Sequence, residues 1–397
     1  MKIGKKTQGI KPSVTLALAA KAQVLRAEGV DLVNFTAGEP DFDTPQRIKD
    51  AAIEALKKGM TKYTDVRGIE PLRVAIVEKY QREYGLTYTK DEVLVSCGGK
   101  HALYNLMQAL IDDGDEVIIP SPYWVSYSDI ALLAGGVPKL VRTREENGFR
   151  MTAAELEKAL TPKTRMFVLN SPSNPTGAAY TRDQLESLAR VLERHDCLVL
   201  SDDIYEKIVY DGFQFHTISA LNPKLRDRTI ITNAVSKTYA MTGWRIGYAL
   251  GPKEAIAAAS KIQSQSTSNP TSIAQAAAVE AIRGPQDEVP MMVAEFKKRR
   301  DAIVPRLNSI PGLKCFKPQG AFYVFPSVRA LFGKNYKGKA LATPADVVEY
   351  FLEVARVLAV PGEDFGSSEN IRISYATSMQ EIEKGCARIE EAVKKLG

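Results

Sequence analysis

Cysteine is scarce in this chain: four residues in 397, Cys97, Cys197, Cys315 and Cys386, with no C-x-x-C pair among them. That spacing argues against a disulfide framework and a thiolate zinc cage, and it fits reduced thiols in a cytoplasmic protein. Histidine is scarcer still, at His101, His195 and His216 only, so no metal site is expected. Gly (27) and Pro (21) are too few for a collagen-like or disordered chain. No apolar run approaches the roughly 18 residues of a membrane span, so no membrane partner is expected. Nor is there a block of one charge: 53 Lys and Arg are interspersed with 47 Asp and Glu, for a net +6. That pattern lacks a nucleic-acid stripe and leaves only a mild pull on anionic ligands. What remains is 45% hydrophobic and 25% charged residues, an ordinary globular balance long enough for two or three domains.

Two segments imitate motifs. Lys2, Lys5, Lys6 and Lys11 precede the apolar stretch Val14 to Ala20, as in a secretory leader, but the stretch is short and Lys21 follows. Pro12 at a helix start, with Leu16, Ala20 and Val24 at helical spacing, predicts an amphipathic helix instead. Gly333 to Lys339 matches G-x-x-x-x-G-K, yet Ala340 stands where the magnesium-binding hydroxyl belongs. A solvated Lys/Gly loop is the better reading.

From about residue 90 to 285 short apolar runs alternate with helical patterns. The runs start at Val93, Val117, Met166, Cys197, Thr229 and Ile246, and the helices are expected over 101–111, 124–134, 152–160, 181–194, 253–265 and 271–282. This alternation predicts an α/β fold: a mostly parallel sheet sandwiched by helices, with ligands bound beyond the strands' carboxyl ends. Gly284-Pro285 and Pro290 end the block. The expected division is an N-terminal segment 1–45, joined to a smaller domain or a dimer contact, a large domain 46–285, and a smaller α+β domain 286–397. The last should contain strands at 321–325 and 371–375 and helices near 344–357 and 379–395.

Polar residues gather just after the buried runs. Asp202 is either a helix cap or a half-buried anion awaiting a cationic ring nitrogen, and Tyr205 lies three residues on. Lys237, after Ser236, is either solvated or, near apolar walls, a nucleophile for a carbonyl carbon. Arg245 sits between Gly243 and Gly247, which let backbone approach something bulky. Gly98-Gly99 at a helix start is a turn or a phosphate nest. Asn174-Pro-Thr-Gly reads as a turn, Trp124 as core or a stacking plate, and Arg372 as a surface residue or a carboxylate clamp. Taken together they suit pyridoxal phosphate acting on an amino acid.

These segments resemble the class I pyridoxal-phosphate aminotransferases, more closely the bacterial aspartate aminotransferase branch with prephenate-active members. The resemblance runs through Ala37-Gly-Glu-Pro-Asp-Phe, Lys62-Tyr-Thr, Gly98-Gly-Lys, Pro122-Tyr-Trp-Val-Ser-Tyr, Asn174-Pro-Thr-Gly, Ser201-Asp-Asp-Ile-Tyr, Ser236-Lys-Thr-Tyr-Ala-Met-Thr-Gly-Trp-Arg and Ile371-Arg-Ile-Ser-Tyr. It implies fold type I with a seven-stranded sheet. It implies that Lys237 bonds the cofactor aldehyde and carries the substrate proton, and that Asp202 pairs with the ring nitrogen. Tyr205 and Asn174 would bond the ring's phenolic oxygen, and Trp124 would lie against the ring. Gly98, Gly99, Lys100, Ser236 and Arg245 would hold the phosphate, with Tyr63 arriving from the second subunit of a homodimer. Arg372 would clamp the substrate carboxylate, assisted by Gly38. No Arg lies between Arg245 and Arg283, so Lys100 would meet the distal carboxylate, with Ser13 and Thr15 closing over it and Lys11 linked to prephenate use. The implied activity is amino transfer from aspartate to 2-oxoglutarate, with an aromatic or alanine-type aminotransferase as the alternative.

Overall fold

The computed structural model describes residues 4, 8–10 and 14–396; Lys11, Pro12 and Ser13 lie outside them. A helix over Val14–Ala27 follows, as its spacing predicts. Ala20 and Val24 are exposed, and the buried side carries Ala22 with Leu18 and Leu25 packed beside it. Thr15 falls within this helix, but its side chain lies outside the description.

The short strand β1 (Val33–Asn34) comes before the main sheet, which is built from seven strands. They are β2 (Val93–Ser96), β3 (Glu116–Ser121), β4 (Val137–Arg142), β5 (Thr164–Asn170), β6 (Leu198–Asp202), β7 (Thr229–Ala234) and β8 (Gly247–Leu250). Their order is β2-β8-β7-β6-β5-β3-β4, with β8 antiparallel to both neighbours and all other pairs parallel. β2, β7 and β8 are buried along their whole length, which is why they read as continuous apolar runs. β4 is the exception. It lies at the sheet edge, is exposed at Val137, Leu140 and Arg142, and its sequence carries no buried run, so no strand is expected there.

The covering helices match their apolar periodicity. Over Arg182–Leu192 the buried residues are Leu185, Leu188, Ala189, Val191 and Leu192. Thr181 caps that helix, accepting from the Gln184 N–H while the Gln184 side chain accepts from the Thr181 N–H. Helices over Gly99–Leu110, Ser126–Leu133, Ala153–Ala159, Lys253–Ser264 and Ser272–Arg283 fall within a few residues of the predicted spans.

Beyond a long helix, Glu288–Asn308, the strands are short: β9 (Tyr323–Val324), β10 (Asn335–Tyr336), β11 (Lys339–Ala340), β12 (Val357–Leu358), β13 (Val360–Pro361) and β14 (Ile371–Ser374). β13, β14 and β9 form an antiparallel sheet, and β12 pairs in parallel with β1. β10 and β11 form an antiparallel hairpin out of the segment that imitates a phosphate loop, with Gly338 in its turn. All four cysteines are free, and among the described residues no helix is long and apolar enough to cross a membrane.

Candidate active site

Parallel strands bring their carboxyl ends to one rim, and the predicted polar residues sit there. Asn170 ends β5, Asp202 ends β6, and Lys237 follows β7 on a single turn, Val235–Thr238. Because β8 runs the other way, its start lies beside the ends of β2 and β7: Gly247 pairs with both Ser96 and Ala234. Arg245 therefore meets Gly98, although well over a hundred residues separate them. A cavity of about 230 Å³ opens above this rim, lined by Gly38, Lys100, Trp124, Asn174, Asp202, Tyr205, Lys237 and Arg372 among others.

Asp202 is buried and its Oδ2 accepts a 2.5 Å hydrogen bond from the Tyr127 hydroxyl. Burial raises its carboxyl to about 6, against the lowering effect of Tyr127. No helix begins at Asp202, so the capping alternative is set aside. Lys237 opens onto the cavity and donates to the Gly38 carbonyl. Among the described residues it forms no ion pair, and burial pulls its ammonium down to about 8. Arg372 is buried, not a surface residue: it donates to Asn174 Oδ1 (3.1 Å) and the Thr36 carbonyl (2.8 Å), while its Nε has no partner among the described residues. Among the described residues this buried guanidinium has an idle N–H and no ion pair, an arrangement that can accept a carboxylate.

Gly98 holds φ +89° as the residue before the Gly99–Leu110 helix, whose first N–H groups have no carbonyl a turn earlier. A Cβ on Gly98 would strike Arg245 Nη2 at 2.2 Å, and one on Gly247 would strike the Gly99 nitrogen at the same distance. Gly243 meets open space, so only Gly247 of the two flanking glycines serves close approach. Ser236 is buried nearby, and Arg245, exposed, donates to the Thr242 carbonyl at 2.9 Å. Free helical N–H groups, a serine and an arginine suit a dianion.

Lys100 stands at the cavity with its Nζ 4.9 Å from the Trp124 ring centre. Its ammonium is lowered by desolvation and by Arg245. Tyr63 does not line the cavity; it is 91% exposed. Sequence reasoning missed Tyr127, Tyr323 and Asn170, which also line it. Tyr127 lies within the quoted Pro122-to-Tyr127 motif, and Tyr323 is a lone phenol in an apolar run. A buried phenol needs a hydrogen-bond partner, which was the available clue.

Residues 30–389 match the family model for aminotransferase class I and II. The chain is 52% identical over 383 residues to the aspartate/prephenate aminotransferase of Cereibacter sphaeroides, covering 96% of each. It is similar to a solved aspartate aminotransferase from Rhizobium meliloti (TM-score 0.96, 49% identity, 99% of each chain). It is similar also to the Thermus thermophilus aspartate aminotransferase with maleate (TM-score 0.93, 44% identity, 99% of this chain and 100% of that one). Sequence likeness over almost the full length, together with a shared fold, leaves one assignment: this chain belongs to the class I and II aminotransferases.

Proposed function

We propose that this chain is an aspartate aminotransferase, moving the amino group of L-aspartate to 2-oxoglutarate in two half-reactions with pyridoxal phosphate. Class I aminotransferases depend on that cofactor in general. The observation that carries the reading is Asp202, Lys237 and Arg372 on one cavity: among the described residues, a carboxylate without an ion pair, an ammonium without an ion pair, and a guanidinium with an idle N–H.

The residues fit the cofactor. Asp202 suits a protonated ring nitrogen, Lys237 an aldehyde, and the Gly98, Gly99, Lys100 backbone with Ser236 and Arg245 a phosphate. Trp124 offers an aromatic face, and Tyr205 and Asn174 offer polar groups for the ring's phenolic oxygen. When bound, the cofactor accepts the electron pair left as an amino acid loses its Cα proton.

The chain's own tasks are geometric and protonic. Arg372 holds the substrate α-carboxylate, with the Gly38 segment alongside. Lys237, whose ammonium is pulled down to about 8 by burial, takes the Cα proton and returns one. Tyr127 keeps the Asp202 carboxylate aimed into the cavity. Lys100 is a point charge for the distal carboxylate, less exacting than an arginine fork. That tolerance, with the name of the Cereibacter relative, supports prephenate as a further acceptor. In a homodimer the exposed Tyr63 would serve the neighbouring site. Residues 1–45 and 286–397 would supply Gly38 and Arg372 to a site carried by a large domain over 46–285.

A panel of amino donors and keto acceptors tests this. Aspartate with 2-oxoglutarate should give the largest kcat/KM. A higher value for phenylalanine or alanine would replace it with the aromatic or alanine-type reading. The prephenate extension fails if no arogenate forms from prephenate with aspartate or glutamate as donor.

A further inference from the structure

Tyr323 is a fully buried phenol with three unlike neighbours. It lies in β9 opposite Ser374 of β14, the strand that carries Arg372. The Arg372 guanidinium carbon is 4.7 Å from the Tyr323 ring centre. The Tyr323 hydroxyl lies 3.0 Å from that of Tyr205, and the two rings meet edge-on with centroids 5.9 Å apart. The chain leading into it is held as well. Gln319 and Gly320 donate to the Gly177 carbonyl, and a Cβ on Gly177 would fall 3.0 Å from the Tyr323 carbonyl oxygen. The phenol is pinned between a carboxylate-binding group and a cavity-facing hydroxyl.

Two phenols share one hydrogen bond, and its direction matters. If Tyr323 donates, Tyr205 keeps its own O–H for the cavity; if Tyr205 donates, that proton is engaged. Burial raises both phenols and Arg372 lowers both, but the guanidinium lies over the Tyr323 ring and is the leading charge on it, so Tyr323 is the more acidic donor and the first arrangement is favoured. A carboxylate arriving at Arg372 offsets that cation.

We propose that Tyr323 is a positioning residue that couples carboxylate binding at Arg372 to the strength with which Tyr205 donates into the cavity. The inference rests on the cofactor reading above, with Tyr205 facing the phenolic oxygen. The other charged groups acting on this pair are Asp202, at the end of β6, and Glu39, after β1. A Tyr323→Phe substitution alters neither. It keeps the ring beneath Arg372 and removes only the hydroxyl.

The test is the pH titration of the visible absorption of reconstituted holoenzyme. A weaker Tyr205 donor holds the cofactor's oxygen anion less well, so Y323F should move the midpoint upward by roughly half a pH unit. Saturation with maleate, a non-reacting dicarboxylate, should raise the midpoint in the parent and raise it less in Y323F. In a Tyr205→Phe background, Y323F should add nothing. An unchanged midpoint, a downward shift, or an undiminished shift in the Tyr205→Phe background overturns the proposal. A parent protein that gains no visible band with pyridoxal phosphate fails differently: it removes the cofactor reading, and this inference with it.

Discussion

Two lysines sit below the surface of this protein and meet opposite fates. Lys79 is sealed in, its Nζ 2.6 Å from Glu206 Oε1 and 3.2 Å from Glu83 Oε2, with the Tyr80 ring centre 4.6 Å away. Lys207 reaches the same Glu83 oxygen at 2.6 Å, and Tyr84 donates to Glu206. Lys237 has a backbone carbonyl for a partner and opens onto a cavity. The first cluster answers its charges within the fold. Among the described residues the second has no such pair, and under the proposed function a ligand supplies the counter-charge. A buried charge marks a site where its counter-charge is missing, not merely where it is buried.

Substitution should separate the two. Lys237→Ala should lower amino transfer by ~10³-fold or more, read as kcat, while the fold survives in circular dichroism. Lys79→Ala should do the reverse. It strands Glu206 without its cation, at about 3–5 kcal/mol in urea unfolding, and the folded fraction should keep its turnover. Equal stability losses in the two variants would erase the distinction.

Arg372→Lys should lower kcat/KM for aspartate by roughly 10–100-fold, chiefly through KM, because a point charge replaces a fork. The smallest effect sharpens the comparison through pH. Asp202 is raised to about 6 in the fold from an ordinary 3.8, so between those values the native state binds more protons than the unfolded chain. Stability of the cofactor-free protein should therefore fall as pH rises through that window and stay lowered above it. Asp202→Asn should stabilise that form at pH 7 by about 1–2 kcal/mol, and by nothing near pH 4. Melts at the two pH values check it.

The legible parts were those with a local cause. Strands β2, β3, β5, β6, β7 and β8 are buried runs, and buried runs can be read. β4 is exposed along one edge and reads as nothing in particular. The spacing along Val14–Ala27 shows a helix but not which side packs: Ala20 and Val24 are exposed, and Ala22, Leu18 and Leu25 pack instead. Lys237, Asp202 and Arg372 were found because charges beside apolar runs are conspicuous. Tyr127 and Tyr323 were not, since a tyrosine in an apolar context reads as core until its hydroxyl has a partner.

Composition and periodicity by themselves determined an α/β chain, without a cysteine framework, whose polar groups follow its strands. They do so because burial and hydrogen bonding act over a few residues. Only the tertiary structure decided that Arg372 donates to Thr36 across 336 residues, that Gly247 packs on Gly99, and that Tyr323 joins Arg372 to Tyr205. Those contacts depend on strand order and on the reversed β8, and strand order arises from the whole chain packing at once.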